Sequence, residues 1–502
     1  MRELNADVVI IGSGAGGGTV ASELAPLCRD GMRVIVLEAG PKLRDAEFTG
    51  HEAEMARKLY VDDGGFLTED RSMTLAMGRV YGGSTVVYTG TSLTITAETI
   101  RRWGIEGLAH DDVLRRSQKY LAANHVHLLD DADLNDNNRL FAAGCRALGY
   151  RVEQFPLNLN GCTGASLCNL GCPSGAKMGT HRVQLPTAEQ QGVTVVTNCM
   201  VDRIDDRAVV ATVTPRPHGE PSAWEPGRYR VRARAVVVSA GAVGSSALLL
   251  RSRLPVSLPA LGRYFTCHPA LILVGQHDHP ITNYAGHPKS FYCDHFAESD
   301  GFLLETCMYF PFTTAKSLTG FGADHSRMMR QMDRLQMILV LAIDPPERDN
   351  RVVVDARGTP IVRYAFTDGV RRSLVQAMRA SARVFFAAGA ARVHAPASPQ
   401  FFIERADADR LEALIPESGL RLGTVAIASA HLMGGCRMGA DAAESVTDDW
   451  GRVHGVPWLF VADGSLFPRC AEINPYVTIM ALADRVAEGV RRQLPELRAL
   501  PS

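Results

Sequence analysis

The sequence has no excess of either charge: 53 Lys and Arg stand against 54 Asp and Glu, a net charge of -1. That balance excludes the general attraction to nucleic acid or anionic lipid that a basic protein shows. No apolar run approaches the length needed to span a bilayer. The opening residues, MRELNADVVIIG, lack a basic n-region, an apolar h-region and a cleavage site. Eleven cysteines in 502 residues are too few for a disulfide framework, and the odd count leaves at least one unpaired within the chain. Both features favour a reducing compartment. Internal repeats and low-complexity segments are missing as well. Together these absences read as a soluble, cytoplasmic protein with neither a transmembrane segment nor a nucleic-acid partner. What the chain has instead is a 46% apolar fraction, enough for a large core, and 46 glycines. Glycine at that level means that backbone approaches backbone, or a ligand, closely in several places.

The first such place is near the start. Ala6 to Gly12 is a short β-branched apolar run, the pattern of a buried parallel strand. It opens into Gly12-Ser13-Gly14-Ala15-Gly16-Gly17, then an Ala/Gly-rich helix, then a second strand, Arg33–Leu37, ending at Glu38-Ala39. This is the β-turn-α-β unit that binds dinucleotides. Gly12 makes the tight turn, Gly14 lets the backbone reach a pyrophosphate, and Gly17 lets helix pack on strand. The helix N-terminus then offers free N–H groups and a positive dipole end to the phosphates. Glu38, 21 residues after Gly17, can accept from both ribose hydroxyls and would repel a 2′-phosphate. The motif alone does not choose FAD over NAD.

Further along, residues 41–75 are polar and irregular, and Asp130–Asn138 reads as a solvated acidic stretch. Val193–Ile204 and Tyr229–Ala240 are β-rich. Between Cys267 and Asp344 the texture changes, and ALILVGQ, FLLETCMYF and MILVLAID read as strands of a second sheet. A hairpin is expected over Val352–Phe366 and an amphipathic helix over Arg371–Ala390. The expected fold class is therefore α/β (α+β): a Rossmann-like nucleotide domain built from discontinuous segments (1–160, 190–265 and 425–502), with an antiparallel-sheet substrate domain inserted at 266–424 and the loop 161–189 nearby.

Several blocks choose the flavin. Gly78-Arg79-Val80-Tyr81-Gly82-Gly83-Ser84-Thr85 resembles the flavin signature of the glucose–methanol–choline (GMC) oxidoreductases. Cys267-His268-Pro269, after Leu261-Gly262-Arg263-Tyr264, is similar to that family's turn after its second FAD-binding segment. The stretch from Ser429 to Gly439, SAHLMGGCRMG, resembles the family's catalytic-histidine motif. Leu459–Ser465 and Ile473–Ala483 resemble its C-terminal flavin segment. The blocks fall in the family's order, and 270–425 carries little resemblance. The resemblance implies FAD, held by Gly12, Ser13, Gly14, Ala15, Gly17, Glu38, Ala39, Gly78, Gly82, Gly83, Ser84, Tyr88, Val201, Ala240, Asp463, Gly464 and Pro475. On the residues alone, Asp463 fits a helix N-cap as well as a cofactor contact, and Val201 fits the core as well as an adenine contact. Some family members link flavin covalently through a His after the Gly-Gly. Here Val86-Val87-Tyr88-Thr89 has no His or Cys, so the FAD is expected to be non-covalent.

The resemblance also implies a catalytic pair, His431 as base and Asn474 as alkoxide positioner. The residue types suit the chemistry. An imidazole titrating near neutrality can remove a hydroxyl proton, and an amide N–H can hold the developing alkoxide. The expected activity is oxidation of an alcohol, a CH–OH donor, to an aldehyde or ketone, with the hydride passing to the flavin. The electron acceptor (oxygen, quinone or a redox protein) is left open. The wording SAHLMGGCRMG is nearest to the long-chain alcohol oxidase and steroid-oxidising members, which implies an apolar alcohol. Phe265, Tyr292, Phe302, Tyr309 and Phe310 fit either a pocket lining or core. The alternative function is a lyase of the hydroxynitrile-lyase type on the same FAD scaffold. A redox-silent FAD-binding protein is disfavoured by the presence of both His431 and Asn474. Finally, Cys162, Cys168 and Cys172 are similar in crowding to an iron–sulfur ligand run. Their spacing fits no zinc pattern, and a tight Gly-rich loop without metal is the expected reading.

Overall fold

The computed structural model describes residues 1–499. Its first sheet is built around two long strands, β1 (Arg2–Ile11) and Gly227–Val238, which pair in parallel from Arg2↔Tyr229 to Ile11↔Val238. On the other side of β1 lies β2 (Val34–Leu37), and beyond it Thr194–Val196, both parallel. The 12-residue strand Gly227–Val238 is long enough to serve two partners on its outer flank. Its first half pairs antiparallel with Ala208–Val213, which in turn pairs with Cys199–Asp205. Its last residues, Val236–Val238, pair parallel with Leu459–Val461. Strands buried on both faces need continuous apolar runs, and Val8–Ile10 and Val236–Val238 are buried.

This topology has one consequence for function. The five parallel segments end at Ile11, Leu37, Val196, Val238 and Val461, all on the same edge of the sheet. The residues that follow are Gly12, Glu38, Thr197, Ser239 and Ala462. Backbone bonds tie this edge together: Ser239 N–H donates to the Ile11 carbonyl at 2.7 Å, and Ala462 N–H to the Val238 carbonyl at 2.8 Å. In open α/β sheets the carboxyl edge is where ligands bind. Helix α1 (Ala15–Leu24) leaves this edge immediately after β1.

The second sheet is antiparallel, with Ala270–Gln276, Leu335–Ala342, Phe302–Thr306 and Phe291–Cys293 at its centre. Helix Asp368–Ala387 packs its apolar stripe, including Leu374, Met378 and Phe385, into the core under it. Arg351–Val354 and Pro360–Arg363 form the hairpin. The sheet also takes two-residue strands from outside 266–424: Glu153–Gln154 at one edge, and Thr74–Leu75 beside Ala428–Ser429. Among the described residues, no helix is long and apolar enough to cross a membrane.

Two expectations are corrected. Asp130–Asn138 is not a solvated stretch throughout, because Asn135, Asn137 and Asn138 are buried. Their amides serve backbone that would otherwise be unpaired. Asn137 donates to the Cys307 carbonyl at 3.0 Å and accepts from Met337 N–H at 2.9 Å, while Asn138 donates to the His287 carbonyl and accepts from Ser290 N–H. Residues 41–75 are not wholly irregular either. Glu52–Leu59 is a helix whose only buried residues are Met55 and Leu59, one turn apart, too few for a visible period.

Helix α1 can reach the edge only because it carries glycine. A Cβ at Gly16 would lie 1.6 Å from the Ala462 carbonyl oxygen. Gly16→Ala is therefore expected to cost at least about 3 kcal/mol, the upper range for overpacking against fixed backbone. Gly369, in the helix Asp368–Ala387, is the control: its nearest obstacle to a Cβ is Thr367 Oγ1 at 3.7 Å. Gly369→Ala should gain about 0.5–1 kcal/mol. Thermal unfolding of the two variants checks both signs.

Candidate active site

Two glycine turns meet at the carboxyl edge. Gly14 is the N-cap of α1, with no side-chain cap and no acidic residue in the first turn. Opposite it stands Gly83, where a Cβ would come within 2.7 Å of the Gly14 Cα. The turns are also bonded, since Gly82 N–H donates to Ser13 Oγ at 2.9 Å. Gly78 N–H donates to Ser84 Oγ at 3.0 Å, and Ser84 itself is exposed. An uncapped helix N-terminus with a side-chain-free approach suits a pyrophosphate. The donors and the space fit a dinucleotide such as FAD.

Glu38 sits at the end of β2, buried, with its carboxylate held by this turn. Ser13 N–H and Oγ donate to it at 3.0 and 2.5 Å, and Gly40 N–H at 2.7 Å. Burial raises its pKa, and the three donors, with Arg79 nearby, act against that rise. Ala39 follows, partly exposed. Ala15 and Gly17 lie in the first turn of α1, and Gly17 backs onto the Gly12 carbonyl.

Asp463 serves both ends of the edge. Its Oδ2 accepts from Gly241 N–H at 2.9 Å and from Ser245 Oγ, and its Oδ1 accepts from Ser465 N–H at 2.8 Å, capping the turn Gly464–Leu466. The N-cap reading of the sequence is thus what the geometry carries. Both oxygens of Asp463 are engaged within the protein. Ala240 lies beside it, exposed, its N–H on Ser245 Oγ. The Gly464 carbonyl accepts from Gly434 N–H at 3.0 Å, which brings the His431 loop onto the edge. Val201 is buried, and its carbonyl accepts from Arg251 at 3.0 Å. Tyr88 turns to other partners: its hydroxyl meets Asn158, and its ring packs edge-on against Tyr476, centroids 4.9 Å apart. Pro475 is buried at the entry of the helix Tyr476–Ala499.

His431 and Asn474, 43 residues apart, meet: Asn474 Nδ2 donates to His431 Nε2 at 3.4 Å. Asn474 Oδ1 is buried with no partner among the described residues. His431 Nδ1 lies 2.8 Å from Nδ1 of His268, and His268 Nε2 lies 2.8 Å from Cys470 Sγ. His268 and Cys470 are buried, whereas His431 is partly open. Burial is the main force holding His431 well below the usual imidazole range, and the positive charge of Lys289 adds to it. Burial likewise brings His268 down to about 3. Lys289 is itself buried in an ion pair with Glu305. Sequence reasoning placed His268 in a motif but gave it no role, and it missed Cys470, Lys289 and Glu305. The only available signal was that Cys267-His268-Pro269 stands next to a recognised turn.

Of the aromatics, Phe265 and Phe302 are fully buried in the second core. Tyr292 packs at a tilt against Phe155, and Tyr309 and Phe310 are partly exposed. Of the three clustered cysteines, Cys162 is exposed, Cys168 buried and Cys172 between. Among the described residues, no group of three or more His, Cys, Asp or Glu side chains is arranged to hold a metal ion.

Known proteins share this architecture and these segments. The GMC oxidoreductase N-terminal model matches residues 6–270, and the C-terminal model matches 346–483. An uncharacterized GMC-type oxidoreductase of Mycobacterium tuberculosis is 34% identical over 96% of this chain and 75% of its own. A long-chain-alcohol oxidase of Arabidopsis thaliana is 27% identical over 96% of this chain and 66% of its own. A formate oxidase of Aspergillus oryzae, solved to follow FAD modification, superposes with a TM-score of 0.71 at 14% identity, covering 98% of this chain and 99% of that one.

Glu38 tests the dinucleotide cradle. Glu38→Ala leaves the Ser13 and Gly40 N–H groups without their acceptor, which costs about 1–3 kcal/mol for a buried group. The variant should lose flavin absorbance on gel filtration while the wild type keeps it, and its melting temperature should fall.

Proposed function

We propose that this chain, which belongs to the GMC oxidoreductase family, oxidises an alcohol to an aldehyde or ketone with non-covalent FAD. The observation that carries the reading is the pairing of His431 Nε2 with Asn474 Nδ2 beside the glycine-lined edge. FAD, when bound, supplies the hydride acceptor. The residues that would hold it are Gly12–Gly17, Glu38, Gly78 and Gly82–Ser84, around the uncapped N-terminus of α1.

The chain's own part is proton handling and orientation. His431 Nε2 takes the hydroxyl proton, and Asn474 Nδ2–H donates to the alkoxide oxygen as negative charge gathers there. The C–H bond of the same carbon then releases its hydride, leaving a carbonyl. A base must be neutral to act. Because burial holds His431 below its usual range, the neutral form persists at pH values where an exposed histidine would already be charged. The resemblance of SAHLMGGCRMG to the long-chain alcohol oxidases, and the likeness to one from Arabidopsis thaliana, support an apolar alcohol as substrate.

Four outcomes are expected. Acid precipitation should release the flavin into the supernatant, since Val86–Thr89 offers no His or Cys to bond it. Under anaerobic conditions a panel of alcohols should bleach the flavin; a protein that cleaves cyanohydrins without bleaching would be the lyase instead. His431→Ala should slow that bleaching about 10²–10⁴-fold with little change in FAD content. The wild-type bleaching rate should fall with acid only as pH drops through the lowered His431 pKa, below the usual value of about 6.5. A step at or above that value would contradict the assignment.

A further inference from the structure

His431 and His268 face each other two residues beyond a single antiparallel bridge, with their Nδ1 atoms 2.8 Å apart. Thr266 and Met433 exchange both backbone bonds, N–H to carbonyl at 2.9 Å each way. In an antiparallel pair, moving two residues forward on one strand and two back on the other reaches the next opposed pair. That pair is His268 and His431, on one face. The chain 470–474 then closes a ring around them, with Cys470 on His268 and Asn474 on His431. Its turn holds Glu472 at φ 63, a left-handed conformation that is unfavourable for a residue with a side chain. Glu472 is held there by Thr99 Oγ1 at 3.1 Å and by Arg102.

Proton placement in this ring is constrained. Between the two facing Nδ1 atoms there is one hydrogen, so one ring donates and the other accepts. If His268 donated, neutral His431 would carry its proton on Nε2 and could not act as a base. For Nε2 to be open, His431 must donate from Nδ1 and His268 must accept. Neutral His268 then carries its proton on Nε2 and donates it to Cys470 Sγ. The Cys470 thiol hydrogen has its own acceptor, the Cys267 carbonyl at 3.9 Å from the sulfur. In this arrangement the His431 Nδ1–H, the His268 Nε2–H and the Cys470 S–H each find an acceptor.

We propose that His268 is a positioning residue: it accepts from His431 Nδ1–H, fixes the tautomer that leaves Nε2 open, and is itself fixed by Cys470. This inference rests on the reading of His431 as the base. The burial that keeps His268 neutral serves the role, because a protonated His268 would have no lone pair to offer. Once His431 has taken the substrate proton, its Nδ1–H bond to His268 becomes charge-assisted and stronger. The titratable groups around the pair are Lys289 with Glu305, Cys470 and Cys267, and beyond Cys470, Asp344 and Glu472.

The test has two independent readouts. In protein carrying ¹⁵N-labelled histidine, the His431 nitrogens should report a single neutral tautomer protonated on Nδ1, and His268 one protonated on Nε2. His268→Ala should convert His431 to a mixture of tautomers. It should slow anaerobic flavin bleaching roughly 10²-fold, the lower end of a general base's worth, with FAD content unchanged. His268→Asn, whose Oδ1 can accept near the lost Nδ1, should restore most of the rate and the single tautomer; His268→Leu should restore neither. A wild-type His431 protonated on Nε2 would overturn the inference. So would a His268→Ala variant with unchanged tautomer and rate. If His431→Ala bleaches at full rate, the base assignment fails, while the tautomer measurement still decides whether His268 orients His431.

Discussion

A Cβ at position 16 would sit 1.6 Å from the Ala462 carbonyl, and one at position 83 would sit 2.7 Å from the Gly14 Cα. The candidate site depends on these approaches of main chain to main chain. They let α1 stand on the edge where β1, β2 and the strands ending at Val238 and Val461 all terminate. They also bring the Gly78–Ser84 segment against the same turn. The site's shape comes from the absence of side chains at a few positions, so its positive character comes from backbone N–H groups. Such donors are fixed in direction by the fold and cannot reorient, which is what a pyrophosphate site needs.

The second half of the site inverts that logic. At the edge, exposed N–H groups await an anion. Around His431, burial removes solvent so that an imidazole stays neutral. A base in water near neutrality is partly protonated, whereas a base held low by desolvation is wholly available but intrinsically weaker. In the proposed reaction, Asn474 Nδ2 and His268 Nδ1 offset that weakness from opposite sides, one meeting the alkoxide and the other the imidazolium. Lys289 opposes protonation of both imidazoles, and its pairing with Glu305 moderates its effect on them.

Much of this was legible in the sequence, for identifiable reasons. Ala6–Gly17 reads cleanly because a strand, a tight turn and a helix N-terminus each demand particular residue types at fixed spacing. The central strands of the second sheet read from continuous apolar runs. The two-residue strands Thr74–Leu75, Glu153–Gln154 and Ala428–Ser429 did not, because nothing so short has a period. Asn137 and Asn138 misled because polarity was read as exposure, whereas a buried amide can satisfy two backbone groups at once. At the site, His431 and Asn474 were named through the family resemblance, whereas the contacts of His268 with His431 and with Cys470 were not anticipated. Cys470 carries no local signal, since its partner is 202 residues away.

His431 lies between two anchors. On one side, Gly434, Cys436 and Met438 donate in turn to the Gly464, Ser465 and Leu466 carbonyls, fastening the loop to the end of the first sheet. On the other, Thr266 and Met433 fasten it to the segment that becomes the first strand of the second sheet. His431 therefore stands on the seam between the two sheets, with His268 contributed from the second and Asn474 from the entry of the helix Tyr476–Ala499. A shift of either sheet along that seam would slide Thr266 past Met433 and carry His268 out of register with His431. A slip of one residue would turn His268 to the opposite face, because side chains alternate along an extended pair. The contact between His431 and His268 thus depends on the Thr266–Met433 bridge that brings the two segments together.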